Sequence, residues 1–434
     1  MFIKLDRQVM NVVHLGLSFL VLFSADFTLT NMQKTINTSI TEDKPDYHVD
    51  GYISMGLIYL IYGIFLWLAP SLVAAVGAKW SMFIGSTCIT IFFFTFMLEI
   101  DYTTYVGILF GGLGGSFVWV AEGNYLVMNS DPDTVTRNVG LFWFIYTGSL
   151  ICGNCFAVFR LEGKTRIDYD TRQELLQVIA VLGIIASIMF ALLGAPKRFT
   201  NYQEIKHESP IEALKKTWQI FRTKELLILL ITFCYGGFQQ SFGSGVYPAC
   251  VGFTKTFGNR AKQLVPLSGL IYGLGDSMGG LTTMLLAKMQ LKFSRWNFIA
   301  LGFLLQVIAY SAIYLNIPDE AVFGETFDSA IIQSRIWLSL LCSILIGIGD
   351  SCLNTQIFPL IADLEPDHSA HICALYKFSK SMAMAAYFFC SISFGLHLQL
   401  IILLVMGLAG TAAFSWVDIK QSTNKNSKSF NDIT

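Results

Sequence analysis

The chain has 434 residues, of which 54% are hydrophobic and only 14% charged, against about 25% charged in an ordinary soluble protein. Mean hydropathy is +0.56, and the formal net charge is −1, from 29 Lys and Arg against 30 Asp and Glu. So few charges cannot cover a water-facing surface of this size, which excludes a soluble enzyme, a disordered chain and a basic nucleic-acid binder.

A bilayer core about 30 Å thick takes about 20 apolar residues per helical crossing. Twelve stretches meet that length, at about 10–30, 51–69, 80–98, 104–127, 139–159, 175–194, 225–245, 264–288, 296–315, 335–358, 370–394 and 396–416. They predict an all-α membrane protein with twelve transmembrane helices. The first stretch is too long for a signal peptide, contains Asp26 and has no small-residue cleavage site after it, so it reads as an uncleaved span. Segment 31–50 is then the largest outward connection of the first half. It holds the sequon Asn37-Thr-Ser39, which makes Asn37 a glycosylation candidate. The seventh stretch contains Gly236-Gly-Phe-Gln-Gln-Ser-Phe-Gly243-Ser-Gly245, expected as a broken helix that lines a cavity or bends. Gly395-Leu-His-Leu is left to make the turn between the last two spans.

The longest connection, 195–224, is polar and basic and divides the chain into two halves. From Pro210 it has helical apolar spacing at Ile211, Leu214, Trp218 and Phe221, read either as a helix on the membrane surface or as a solvated linker helix. The expected organisation is a cytoplasmic N-terminus at 1–9, a six-helix bundle at 10–194, the linker at 195–224, a second bundle at 225–416 and a disordered tail at 417–434. With an even number of spans, Arg7, Lys79, Lys197, Lys215 and Arg295 fall on one side with both termini. That side carries the excess of Lys and Arg and is read as cytoplasmic.

The nine cysteines lie within or at the ends of apolar stretches and read as packing residues rather than a disulfide framework. Cys152-Gly-Asn-Cys155 has no second Cys/His pair to complete a metal site. No HExxH, P-loop or nucleophile–base set is present, and Gly112-Leu-Gly114-Gly-Ser-Phe117 lacks the last glycine of a dinucleotide fingerprint. No catalytic residue, cofactor, metal or nucleic-acid partner is expected. Gly111/Gly115, Gly269/Gly273 and Gly275/Gly279 have the small-xxx-small spacing of close helix crossings.

Ionisable groups inside spans carry the functional signal, because each costs about 2.5–3.5 kcal/mol in lipid and should face a cavity or a partner. They are Asp26, Glu122, Asp276, Asp350, Lys377 and Lys380. Asp350 and Lys377 sit about 10–12 Å from the same side on consecutive spans, at about 1.5 Å per residue, and are expected to pair. Asp350 and Asn354 share a helix face. With Gln356 and Asn154 they are either cavity-lining groups or hydrogen-bonding glue between helices. Glu122 is placed either at the interface or in the cavity.

Several strings resemble the Unc-93-like ("uncoordinated") family of the major facilitator superfamily, closest to its major facilitator domain-containing-eleven branch. They are Gly51-Tyr-Ile-Ser-Met with Ala69-Pro-Ser-Leu-Val, Trp119-Val-Ala-Glu122-Gly-Asn-Tyr, Gly140-Leu-Phe-Trp-Phe-Ile-Tyr with Gly153-Asn154, Gly347-Ile-Gly-Asp350-Ser-Cys-Leu-Asn354-Thr-Gln356 and Ala374-Leu-Tyr-Lys377. The resemblance runs from about residue 10 to 416. It implies a major facilitator fold of two pseudo-symmetric six-helix bundles around a central cavity. That family includes a regulator of a two-pore potassium channel and a trafficking chaperone for receptors. One departure is the region between spans two and three. Facilitators carry an acidic residue and an Arg cluster there, and this chain has Gly77-Ala-Lys79-Trp-Ser.

Two functions follow as expectations. One is a non-enzymatic regulator of an ion channel, or a trafficking partner of another membrane protein. The other is a proton- or ion-coupled transporter of a small solute, motivated by the carboxylates and lysines within spans. The resident membrane is either the plasma membrane or an endomembrane.

Overall fold

The computed structural model describes residues 7–131, 133–195, 219, 221–288, 294–364 and 369–431. Its first helices are α1 (Arg7–Asp43), α2 (Gly51–Phe65), α3 (Ala69–Val76), α4 (Ala78–Met97), α5 (Asp101–Met128), α6 (Val135–Arg160) and α7 (Tyr169–Ala191). They are followed by α8 (Lys224–Ser241), α9 (Tyr247–Phe253), α10 (Ala261–Lys288), α11 (Arg295–Asn316), α12 (Ile336–Leu364), α13 (Ser369–Cys390) and α14 (Leu396–Asn431).

Among the described residues, nine helices are long and apolar enough to cross a membrane, or ten with α2 and α3 taken as one span bent by 60°. The bend falls where Pro70 opens α3, since proline is at home in a first helical turn and not inside a helix. Helices α10 and α13, of 28 and 22 residues, are as long but diluted by Asp276, Lys377 and Lys380. With these two the helices match the twelve expected stretches one for one. Segment 196–218, which carries the start of the expected surface helix at Pro210, lies outside the described residues.

Three expectations need correction. Helix α1 runs on to Asp43, so 31–43 is helix rather than loop. Asn37 sits on its inner face, 1% exposed, and its Nδ2 donates to the Val49 carbonyl at 2.8 Å. An amide spent on a neighbouring backbone is not presented to a glycosylating enzyme in the folded chain. The seventh span does not break, since α8 passes through a π-helical turn, Phe242–Val246, directly into α9. Finally, α14 continues through the expected disordered tail to Asn431. Its 417–421 segment is tied down by Arg295 to Asp418, Lys420 to Glu225 and Gln421 to the Asp363 carbonyl.

The chain forms two compact units. In the first, α1 and α4–α7 pack around Phe19, Phe23, Phe92, Phe93, Phe142 and Phe190. Glycines set the closest crossings. A Cβ on Gly114 would lie 2.4 Å from the Gly85 carbonyl oxygen, and one on Gly153 would lie 2.0 Å from that of Ser24. Gly111, expected at such a crossing, instead meets the Phe92 ring. In the second unit, α10 and α12 cross where Gly275 meets the Ile344 carbonyl and Gly279 meets Ser351. That crossing follows the spacing seen in the sequence.

Candidate functional site

A polar centre joins five helices of the second unit, with each contributing residue well inside its helix. Asp350 is the fifteenth of the 29 residues of α12, further from the helix end than expected. It is 5% exposed. One carboxylate oxygen accepts from Gln239 Nε2 at 2.7 Å and Asn354 Nδ2 at 3.0 Å, and the other from the Tyr272 hydroxyl at 2.6 Å. The centre continues through Gln306 Nε2, which donates to Gln239 Oε1 at 2.7 Å, while the Tyr235 hydroxyl donates to Gln306 Oε1. On the far side, Asn354 Oδ1 accepts from both Tyr376 and Lys380, each at 3.0 Å.

Local sequence explains this convergence. Asp350 and Asn354 are four apart and so share a face, as do Tyr235 with Gln239 and Tyr376 with Lys380. The π turn after α8 and its Gly243 admit Tyr272, because a Cβ on Gly243 would come within 2.8 Å of the Tyr272 ring. At the next crossing Gly347 meets the Tyr272 carbonyl, where a Cβ would lie at 2.2 Å. The rotation of α13 puts Lys380, not Lys377, on the Asp350 side. The expected Asp350–Lys377 pair is thus replaced by an Asp350–Asn354–Lys380 relay. Lys377 is half-buried and acts electrostatically on Cys373.

Asp276 lies in the same region on α10, half-buried, with the Ser351 hydroxyl and the charges of Asp350 and Lys380 acting on it. A carboxylate so placed needs the nearby amine. The result is two carboxylates and one ammonium held by neutral amides and phenols, a set able to take up or release a proton or to bind a small cation. Gln356 is buried on α12, and its Nε2 donates to Thr355 Oγ1. Thus Asp276, Asp350 and Asn354 come together from the expected set, while Gln356 stays with its own helix.

The remaining candidates belong to the first unit. Asn154 accepts from Asn31 Nδ2 at 3.0 Å and donates to the Leu150 carbonyl at 2.8 Å, so it stitches α6 to α1. Glu122 is buried on α5 and Asp26 half-buried on α1. Around them the interior is aromatic. Phe19 stacks or edges against Phe23, Trp119, Phe142, Tyr146 and Phe190, with ring centroids 5.0–6.2 Å apart.

Sequence reasoning missed a second ionic cluster at the end of the first unit. Arg172 and Glu99 both have side chains with no exposed surface, joined Nε to Oε1 at 2.8 Å. Arg172 Nη1 reaches Asp43 Oδ2 and Ser39 Oγ, both at 2.9 Å, and Lys44 holds Glu99 Oε2 at 2.7 Å. Burial works against ionised Glu99, but the hydrogen bonds from Arg172, Lys44 and Gln173 outweigh it and hold its carboxyl below the usual value. The missed signal was the run of charges from Glu42 to Lys44, assigned to a solvated loop because α1 was ended too early.

Comparison with known proteins fits this architecture. The family described as "Ion channel regulatory protein UNC-93" matches residues 44–415. A relative from Xenopus tropicalis, "UNC93-like protein MFSD11", is 32% identical over 95% of this chain and 96% of its own length. "Protein unc-93 homolog A" from Bos taurus is 22% identical over 96% and 95%. Among solved structures, a peptide transporter POT in complex with sulfate superposes with a TM-score of 0.69 at 13% identity, covering 96% of both chains. The nucleoside transporter NupG gives 0.66 at 14% identity over 94% and 98%. These likenesses show the fold to be that of the major facilitators, a multi-pass membrane architecture of two six-helix bundles. On its sequence, this chain belongs to the UNC-93 family.

Proposed function

We propose that the chain is a non-enzymatic membrane protein that regulates an ion channel, with a potassium channel as first candidate, or escorts another membrane protein. The aromatic interior of the first unit carries this reading. Where a solute carrier would place hydrogen-bonding groups on α1, α5 and α6, this chain has Phe19, Phe23, Trp119, Phe142 and Tyr146 in mutual contact. The altered region after α3 supports it. Lys79 lies over the Trp80 ring, 5.2 Å from its centroid. The description of the matching family agrees. This reading keeps both termini on the cytoplasmic side, with bundles at 10–194 and 225–416 joined by a cytoplasmic linker. The test is co-expression with a two-pore potassium channel in oocytes. A current density changed relative to the channel alone, without loss of surface channel, supports regulation. An unchanged current together with unchanged channel trafficking rejects this role.

The polar centre favours a second reading, a proton- or ion-coupled transporter of a small solute, because carboxylates inside spans commonly serve as proton relays. In liposomes under a valinomycin-set potential, a pyranine-detected proton flux abolished by Asp276→Asn supports it. Flux that survives the substitution removes Asp276 from the coupling path.

A further inference from the structure

An apolar groove of about 300 Å³ opens in the first unit, floored by α1 and walled by α6 and α7. Its walls are two stripes at helical spacing. Phe156 and Gly153 lie on α6, and Val178 and Leu182 on α7. The floor includes two hydroxyls, Ser24 and Thr28. Both are already spent, since Ser24 Oγ donates to the Leu20 carbonyl and Thr28 Oγ1 to that of Ser24, each at 2.7 Å. The groove floor therefore offers a polar solute no free hydroxyl donor. Left unfilled, its lining would lose dispersion contacts on one side, and within a bilayer the material at hand to fill it is an acyl chain.

What stands at the end of the two stripes selects the kind of lipid. One turn beyond Phe156 on α6 is Arg160, and one turn before Val178 on α7 is Glu174. The two are joined as an ion pair through Arg160 Nε, with side chains 31% and 51% exposed. With Nε committed to Glu174, the terminal guanidinium nitrogens of the partly exposed Arg160 remain to take a phosphate, and the more exposed Glu174 offers a carboxylate to a quaternary ammonium. We propose that this groove is a binding site for one acyl chain of a zwitterionic phospholipid, with the phosphocholine headgroup seated on the Arg160–Glu174 pair. A net-anionic headgroup would meet Glu174 unfavourably, and a sterol would leave the charged pair unused.

The test uses the full chain in phosphatidylcholine nanodiscs doped with a phosphatidylcholine that carries a mid-chain diazirine, followed by peptide mass mapping. Labelling is expected to concentrate at 152–156 and 178–182. Val178→Trp, which fills the groove, should lower it about tenfold, the equivalent of about 1.4 kcal/mol of site preference. Ile188→Trp, at an exposed position on the same helix, should leave it unchanged. Label spread evenly along the exposed faces of α6 and α7, or label indifferent to Val178→Trp, overturns the site. A second arm needs no variant. On the native chain, diazirine probes of phosphatidylglycerol and of cholesterol should label these positions more weakly than the phosphatidylcholine probe. Stronger labelling by either overturns the headgroup assignment.

Discussion

The two units fold from equally apolar sequence yet spend their interiors differently. The first is filled with rings from Phe19 to Phe190, and its fully enclosed ion pair, Arg172 with Glu99, sits at the end of the unit, at the start of α7 and in the α4–α5 turn. The second threads amides, phenols and charges through the middle of five helices around Asp350. Buried ions near a helix end fasten elements together. Buried ions at mid-helix are the costliest to keep, which is why the second unit, where several such groups are joined in one centre, reads as the place where protonation or ion binding can matter.

That contrast can be broken experimentally, and Arg172 offers the largest effect. Arg172→Met leaves Glu99 buried with one partner fewer and should cost about 3–5 kcal/mol, read as a lower melting temperature in detergent. The double change with Glu99→Gln should recover part of the loss. If Arg172→Met melts like the parent, the cluster is not a fastener. Asp350→Ala strands three donors and should cost about 2–3 kcal/mol, whereas Asp276→Asn should leave the melting temperature nearly unchanged. Equal losses at both positions would mean the centre is only structural.

Acid sharpens the comparison further. The Glu99 carboxyl is depressed below its ordinary value of 4.5. The stability it contributes is complete above that pH and is lost as pH falls below it. Melting temperature should therefore drop on acidification past that point, with Glu99→Gln flattening the slope. Smaller again, Asn37→Gln loses the bond to the Val49 carbonyl, at about 1 kcal/mol, and should not alter gel mobility or sensitivity to a glycosidase. Last, Lys79→Ala removes only an exposed cation–π contact worth about 0.5–1 kcal/mol.

How far the sequence could be read follows from the same physics. Helix number was legible because a bilayer imposes a length on every apolar run. Asp276, Asp350 and Lys380 stood out because charge in a span is rare. Tyr235, Gln239, Gln306 and Tyr272 did not, since neutral hydrogen-bonding residues are common in spans and only the crossing geometry shows which of them converge. Choosing Lys377 over Lys380 was an error of three residues, about 60° around the helix and about 4.5 Å along it, which linear spacing cannot resolve. The length of α1 was missed because its last turns are polar. They stay helical because Arg172, on a helix far along the chain, binds Asp43.

The π turn at Phe242–Val246 amounts to one surplus residue wound into a single helix, and it lets the two ends of that helix be indexed separately. Upstream, Gln239 is set toward Asp350. Downstream, the Tyr247 hydroxyl is set toward the Ser339 carbonyl at 2.7 Å. Deleting that surplus residue would restore ordinary winding and leave Gln239 and Tyr247 facing as they do now, whereas a deletion elsewhere in the helix would swing everything beyond it by about 100°. A one-residue deletion there should thus be absorbed without turning either anchor away from its partner, which a deletion at either end of the helix cannot do.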